Sequence, residues 1–439
     1  MRTVNMRTLF YGGVGEVGGN KVLIEDQDAR IMLDFGVSYS GRRRYYIEPW
    51  LSPKDERGLL EFGILPDLKG LYRFDEAAPL VDGVFISHSH TDHASGISFL
   101  NRSIPVYCGL TAQAIIEGQA EMRPRSFETD LSGLKFQAFK TGDTLRVKGL
   151  EVKPIHVDHS VPGAYGFIVY TSEGTVVYTG DFRVHGSKSN LTWDFVEKAG
   201  EAKPMALICE GTNIGGAQVS SEEEVKSKIG EVVRKTDRLV LAEFSYADVD
   251  RFRTFHEVAV GTGRKLAISM RQAFIFEKLQ QRSSLVLPRI DGETVIVYRK
   301  GKKRYYRWEE SLLNRYDVKD SEEIARIQDQ VILVCGLPDL KELIEIKPQP
   351  VSVFIHSASE PVDEEGLIEF DKLVNWLDHF GLPLYQIHCS GHIMPIELKE
   401  VISRIKPRKV HPIHTEHPAQ FAGFVSAYAK VELPKLTAA

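Results

Sequence analysis

"VFISHSHTDH" (Val84 to His93) decides how this chain is read. Val84-Phe85-Ile86 is a short apolar run of the kind buried in a sheet, and it leads directly into H-x-H-x-D-H. In an extended segment residues two apart share a side, so His88 and His90 can grip one cation. Asp92 and His93, at the turn that follows, can face a second. Imidazole and carboxylate are suitable ligands for zinc, and no thiolate is required. One histidine at a strand end is usually a satisfied polar residue. Three with an aspartate in so short a stretch ask for metal.

A metal pair needs further ligands, and they should sit at other strand ends. "VKPIHVDHS" supplies His156 and His159, "VVYTGDF" supplies Asp181 after a glycine, and "KVHPIHTEH" supplies His411, His414 and His417. Asp34, closing "IMLDFG", is a carboxylate in the same kind of position.

The segment "LFYGGVGEVGGNKVL" (Leu9 to Leu23) contains a literal G-x-G-x-x-G, Gly13 to Gly18. A dinucleotide site would need a helix to open directly after those glycines, with pyrophosphate on its N-terminus. Here "NKVLIEDQD" and then "ARIMLDF" read as two more strands. The pattern is a meander with a glycine turn, and no dinucleotide is expected.

Bulk properties bound the rest. The chain has 439 residues, enough for two or three domains, and a net charge of −5, which excludes coating nucleic acid by bulk attraction. A polyanion would have to be held by local patches or by metal charge. The four cysteines are far apart and form no C-x-x-C, which points to reduced thiols. No signal-peptide core and no apolar run of membrane-spanning length occurs, so the expectation is a soluble cytoplasmic protein without membrane contact.

Short strand signals crowd the first 205 residues, with turn residues between them and helical stretches such as 112–120, the mark of a layered α/β sandwich. From about Glu222 the texture changes: "SSEEEVKSKIGEVVRK" has Ser and Glu placed for a helix start, and "RLVLAEF" follows as a buried strand. Helix–strand alternation continues through "QVILVCG" and "PVSVFIHS", a parallel-sheet signature. Then "LPLYQIHCSGH" and "KVHPIHTEHP" return to strands ending in histidine. The expected domains are 1–214, an insertion over 215–383, and a return over 384–439.

The ordered set Asp, H-x-H-x-D-H, His, Asp, His resembles the metallo-β-lactamase superfamily, over the first domain and the last fifty residues. The resemblance implies an α/β fold: an αββα sandwich carrying an inserted parallel-sheet α/β domain of the β-CASP type. It implies two Zn²⁺ per chain, one on His88, His90 and His159, the other on Asp92, His93 and His414, with Asp181 bridging; Mn²⁺ is compatible with the same ligands. Asp34 resembles the family aspartate that orients ligands without binding metal. The glycine turn then lies beside the metal cleft, where its residues let the backbone approach closely.

The acid of "CEGTN", Glu210, the His392 of "HCSGH", and His414 look like the three accessory motifs of the β-CASP nucleases. "HSASEP" (His356 to Pro361) resembles the segment by which ribonuclease J-type enzymes help hold a substrate phosphate. Within that group the chain is most similar to archaeal ribonuclease J-like 5′-to-3′ exoribonucleases, and no further C-terminal domain is expected. The implied activity is processive hydrolysis of single-stranded RNA from a 5′-monophosphate end, in RNA decay or maturation, by a chain that can form a homodimer. Asp92, Asp181, His392 and Glu210 are the expected catalytic residues. Ser357, Ser359, His388 and Ser390 are the expected donors to the terminal phosphate. Rival readings are an RNA endonuclease of the cleavage-and-polyadenylation type, a DNA-repair β-CASP nuclease, a ligand-depleted binding partner and a small-molecule lactonase. The filled ligand positions oppose the binding partner, and the insertion opposes the lactonase. Finally, "VYRKGKKRYYRWEE" (Val297 to Glu310) reads either as a nucleic-acid track or as a solvated hairpin, and "SGRRRYY" (Ser40 to Tyr46) as a segment that can line a substrate channel.

Overall fold

The computed structural model describes residues 4–48, 50–216, 218–359 and 364–438. The chain divides into two units, Met1–Ala217 with Gly391–Ala439, and Gln218–Ser390.

The first unit has two sheets. One is ordered Val4–Gly12, Lys21–Gln27, Ala29–Leu33, Gly83–Ile86, Pro105–Gly109, Lys135–Phe139. Its first three strands pair antiparallel and the rest parallel. The strand that follows the glycine turn, Lys21–Gln27, folds back antiparallel on Val4–Gly12, so the glycines close a hairpin. The other sheet is ordered Lys430–Val431, Lys409–Ile413, Ala206–Glu210, Gly174–Tyr178, Ala164–Thr171, Leu150–Val157, Leu145–Val147.

Alternation along the strands builds the layers. Phe85 joins Val22, Ile31, Phe167, Val176 and Ile208 in the core between the sheets. Its neighbours Val84 and Ile86 point the other way, onto a second core with Leu59, Ile97, Phe99 and Ile116 from the helical segments on that side. On the far face Leu207 and Cys209 pack with Phe195 and Val196 of the helix Ser189–Glu201 and with Leu398, Val401 and Ile402 of the helix Pro395–Ile405. The result is the four-layer sandwich expected from the strand pattern.

The second unit is a seven-stranded sheet with every recorded pair parallel, ordered Val318–Lys319, Val295–Tyr298, Lys265–Ser269, Val331–Val334, Val240–Glu243, Val353–His356, Leu384–Gln386. Its first helix, Glu222–Arg234, starts where the Ser/Glu pattern places it, with the Ser221 side chain accepting from the Glu224 N–H at 3.2 Å. The return to the first unit falls later than the sequence expectation of 384, because Leu384–Gln386 hydrogen-bonds to Val353–His356 and completes the second unit's sheet. The stretch from Val297 is not a hairpin: the strand ends at Tyr298, and an irregular segment runs to the helix Arg307–Leu313. Among the described residues no helix is long and apolar enough to cross a membrane. All four cysteines are buried and none is in a disulfide.

Candidate metal centre

Each residue of the expected ligand set lies in the first unit, at or just beyond a strand end. Gly83–Ile86 delivers His88 and His90, a short helix Thr91–Ala94 holds Asp92 and His93, Leu150–Val157 delivers His159, Gly174–Tyr178 delivers Asp181, and Lys409–Ile413 delivers His414. Their ligand atoms converge. His88, His90, His159 and Asp181 form one group that could hold a metal ion, and Asp92, His93 and His414 form another; within each the ligand atoms lie within 4.8 Å of one another. A third such group is Asp181, His392 and His414.

Asp181 is the hub. It is buried, and its Oδ2 lies 3.1 Å from His93 Nε2, 3.6 Å from His88 Nε2, 3.6 Å from His414 Nε2, 3.8 Å from His392 Nδ1 and 4.0 Å from His159 Nε2. Its Oδ1 is buried with no hydrogen-bond partner. An ionised carboxylate oxygen left so is costly unless a cation meets it, and this orphaned oxygen fits a metal.

The partners of the outer ring nitrogens select which nitrogen faces inward. His93 Nδ1 lies 2.7 Å from Asp34 Oδ2, and since a carboxylate only accepts, Nδ1 carries the proton and Nε2 turns its lone pair to the centre. His159 Nδ1 is 2.6 Å from the Gly391 carbonyl, with the same consequence. Asp34 is itself gripped, accepting from Ser87 N–H at 2.7 Å, Ser87 Oγ at 2.7 Å and the Tyr178 hydroxyl at 2.6 Å. Its φ of 56° is a left-handed conformation that aspartate tolerates better than most residues.

Electrostatics divide these rings into neutral and charged ones. Burial drives the His88 and His159 rings well below the usual histidine range, and His90 to about 4, so the rings are neutral and offer lone pairs. Burial also opposes charge on His93, but the Asp181, Asp92 and Asp34 carboxylates override it and hold that ring well above its ordinary value. The Asp181 carboxyl is held far below the usual range: burial works against ionisation, and the neighbouring His414, His93 and His392 rings outweigh it. The acids therefore hold positive charge at the centre.

The glycine turn does approach the site. A Cβ on Gly18, at φ +87°, would come within 2.8 Å of the Asp92 side chain, and one on Gly36 would collide with the Asp92 carbonyl at 1.6 Å. The Gly13 carbonyl accepts from the His414 N–H at 2.8 Å.

Beside the cluster, His392 Nδ1 lies 3.2 Å from Glu210 Oε1 and 3.2 Å from Thr212 Oγ1. Glu210 is fully buried and accepts from Phe182 N–H at 3.2 Å, Thr212 N–H at 3.1 Å and Thr212 Oγ at 2.7 Å. Burial pulls the His392 ring down, but Glu210 and Asp181 raise it to about 9.

Sequence reasoning missed three contributors. Tyr178 reads as one more apolar strand residue, Thr212 as a loop residue after the acid, and Asn20 as part of a turn. Thr212 Oγ1 is 2.8 Å from His414 Nδ1, and Asn20 Nδ2 is 3.1 Å from His93 Nε2. For Thr212 and Asn20 adjacency to Glu210 and to the glycines was the available signal.

The expected phosphate donors Ser357, Ser359, His388 and Ser390 lie in the second unit. Ser357 is buried, its hydroxyl donating to the Ile387 carbonyl at 2.5 Å while accepting from Arg251. Ser359 is exposed, with its Oγ 3.5 Å from His388 Nε2. Glu360 and Pro361, the end of the "HSASEP" motif, lie outside the described residues. His156 and His411 stand apart from the cluster, stacked on Tyr165 and tilted against Phe10.

Residues 43–198 match the β-lactamase superfamily domain. The chain is 25% identical to ribonuclease J 1 of Streptococcus pyogenes serotype M3 over 436 residues, covering 93% of this chain and 68% of that protein. It is 25% identical to ribonuclease J2 of Bacillus subtilis (96% and 71% covered) and 26% identical to ribonuclease J of Sinorhizobium meliloti (97% and 70% covered). Its fold is shared, at a TM-score of 0.78 and 21% identity over 98% of each chain, by the crystal structure of a protein of unknown function from Enterococcus faecalis V583. Residues 43–198 thus resemble the β-lactamase superfamily domain, and along nearly its whole length the chain is similar to the ribonucleases J.

Proposed function

We propose that this chain is a metal-dependent ribonuclease of the cytoplasm that removes nucleotides from the 5′ end of single-stranded RNA, with preference for a 5′-monophosphate. The carrying observation is the Asp181 carboxylate, one oxygen ringed by five imidazoles and the other without a partner, in a chain related to ribonucleases J.

His88, His90 and His159 would hold one ion, Asp92, His93 and His414 the other, and Asp181 both. Zinc bound there (manganese suits the same donors) supplies Lewis acidity to a water and to phosphodiester oxygens. Around it the chain's own groups divide the work. Asp34 fixes the His93 tautomer, and Gly391 that of His159. His392, charged near neutrality and held by Glu210, is suited to bind the scissile phosphate or to give a proton to the leaving oxygen, help typically worth about 10²–10⁴-fold. Glu210 touches no substrate; it positions His392.

For the 5′ end, Ser359, His388 and Ser390 are the donors expected for a terminal phosphate, and Ser357 gives its hydrogen to Ile387. Each bond to a charged group is worth about 1.5–3 kcal/mol. A monophosphate should therefore outrun a 5′-hydroxyl, and a triphosphate should be poor because two more charged groups must be admitted. Rates on three RNAs differing only at the 5′ end test the reading. Mononucleotide products with the monophosphate fastest support it; equal rates with internal fragments would make the chain an endonuclease.

A further inference from the structure

We propose that the segment 299–307 of the second unit is a docking platform for the backbone and bases of single-stranded RNA; this rests on the ribonuclease reading above. The segment carries Arg299, Lys300, Lys302, Lys303, Arg304 and Arg307 in a chain whose net charge is −5. Its inner cations are spoken for. Arg299 pairs with Asp320 at 3.0 Å, Lys300 with Asp339, and Lys302 with Glu309.

Two buried carboxylates staple the backbone. Glu309, buried, also accepts from the Tyr306 N–H at 2.9 Å, and Glu342, buried, accepts from the Gly301 N–H at 3.1 Å and the Tyr298 hydroxyl at 2.9 Å. Tyr305 donates to the Lys300 carbonyl at 3.1 Å, and the Lys302 ammonium lies 5.2 Å from the Tyr306 ring centre. The segment is thus irregular but fixed.

What this framework presents outward is different. Lys303, Arg304 and Arg307 are exposed, and none makes an ion pair with a described carboxylate. Tyr306, between them, is 54% exposed. These cations stand at the start of the helix Arg307–Leu313, where the helix dipole disfavours positive charge, so local stability does not explain them. Uncompensated cations flanking an exposed aromatic on a fixed backbone are what a flexible polyanion with stacking bases requires: phosphates meet the cations and a base meets the ring. An acidic protein would use the charges and leave the ring idle.

The test is fluorescence anisotropy of the full-length protein with a labelled 20-nucleotide single-stranded RNA in chelator, across a salt series, with trinucleotide hydrolysis in the presence of metal as control. In single-stranded RNA each lost phosphate contact lowers the slope of log affinity against log salt by about 0.7, so replacing all three of Lys303, Arg304 and Arg307 by Ala should lower it by about 2. Tyr306→Ala should weaken binding roughly 5- to 100-fold with the slope unchanged. Trinucleotide hydrolysis should stay near wild type in both. Because Lys303, Arg304 and Arg307 are exposed and Tyr306 loses only its contact with Lys302, thermal unfolding should move little, which separates lost docking from lost fold. An unchanged slope and affinity in the triple variant, with wild type still cleaving RNA, overturns the platform alone. A triple variant that loses affinity while Tyr306→Ala keeps it also overturns the proposal, since bases would then play no part. A wild type that neither binds nor cleaves RNA overturns the ribonuclease reading itself.

Discussion

Two clusters of polar side chains sit at strand ends in this molecule, one in each unit, and they are finished to different degrees. In the second unit Arg251, fully buried, is matched by both oxygens of Glu222 at 3.1 Å and by Ser357, and His356 Nδ1 meets Glu243 at 2.9 Å. Cations there already face anions. In the first unit the groups facing one another are all potential ligands: His88 Nε2 is 3.0 Å from His90 Nδ1, and His159 Nε2 is 3.2 Å from that same nitrogen. Neutral rings driven below their usual range cannot all satisfy one another, and one Asp181 oxygen has no donor. The second unit's cluster matches its charges, although Arg251 Nε and His356 Nε2 have no partner, whereas the first unit's cluster turns neutral rings and an orphaned carboxylate oxygen toward an ion the chain does not itself supply.

The largest effect that could break this contrast is Asp181→Asn. It should lower RNA hydrolysis on the order of 10⁴-fold, as expected when residues act as a unit, and metal content should fall with it. A fully active variant would remove the hub role. His392→Ala should keep its metal while turnover drops about 10²–10⁴-fold. Loss of metal instead would make His392 a ligand, as its grouping with Asp181 and His414 allows. On the other side of the comparison, Arg251→Ala removes the buried guanidinium that faces Glu222 and should cost about 3–5 kcal/mol in denaturant unfolding, with metal content per folded chain unchanged.

Smaller changes sharpen it. Asp34→Asn should weaken metal affinity about 10- to 100-fold, measured by competition with a chelating dye, because an amide no longer demands a proton on His93 Nδ1. Tyr178→Phe removes one donor to Asp34 and should cost only about 1 kcal/mol of stability. Metal affinity moving as far as in Asp34→Asn would mean that the hydroxyl does more than hold the carboxylate.

The metal-ligand candidates were legible because their chemistry is rare and local: H-x-H-x-D-H is contiguous, and Asp181, His159 and His414 each end a strand that can be read by eye. The layers were legible for the same reason, since Val84, Phe85 and Ile86 alternate. What the sequence hid depends on register. Tyr178 serves Asp34 across 144 residues, and the strand pattern gave its hydroxyl no reason to differ from any buried tyrosine. Ser357 reads as an available donor until Ile387 is brought beside it. The boundary near 384 was hidden likewise, because a three-residue strand is assigned only by its neighbour.

The central claim is that the first-unit cluster binds a pair of metal ions. Native mass spectrometry of the purified chain, titrated with zinc after chelation, reads it directly. The expected result is about two ions bound per folded chain, and none held tightly by Asp181→Asn. A wild-type chain that stays metal-free at saturating zinc, or that hydrolyses RNA unimpaired in chelator, would contradict it.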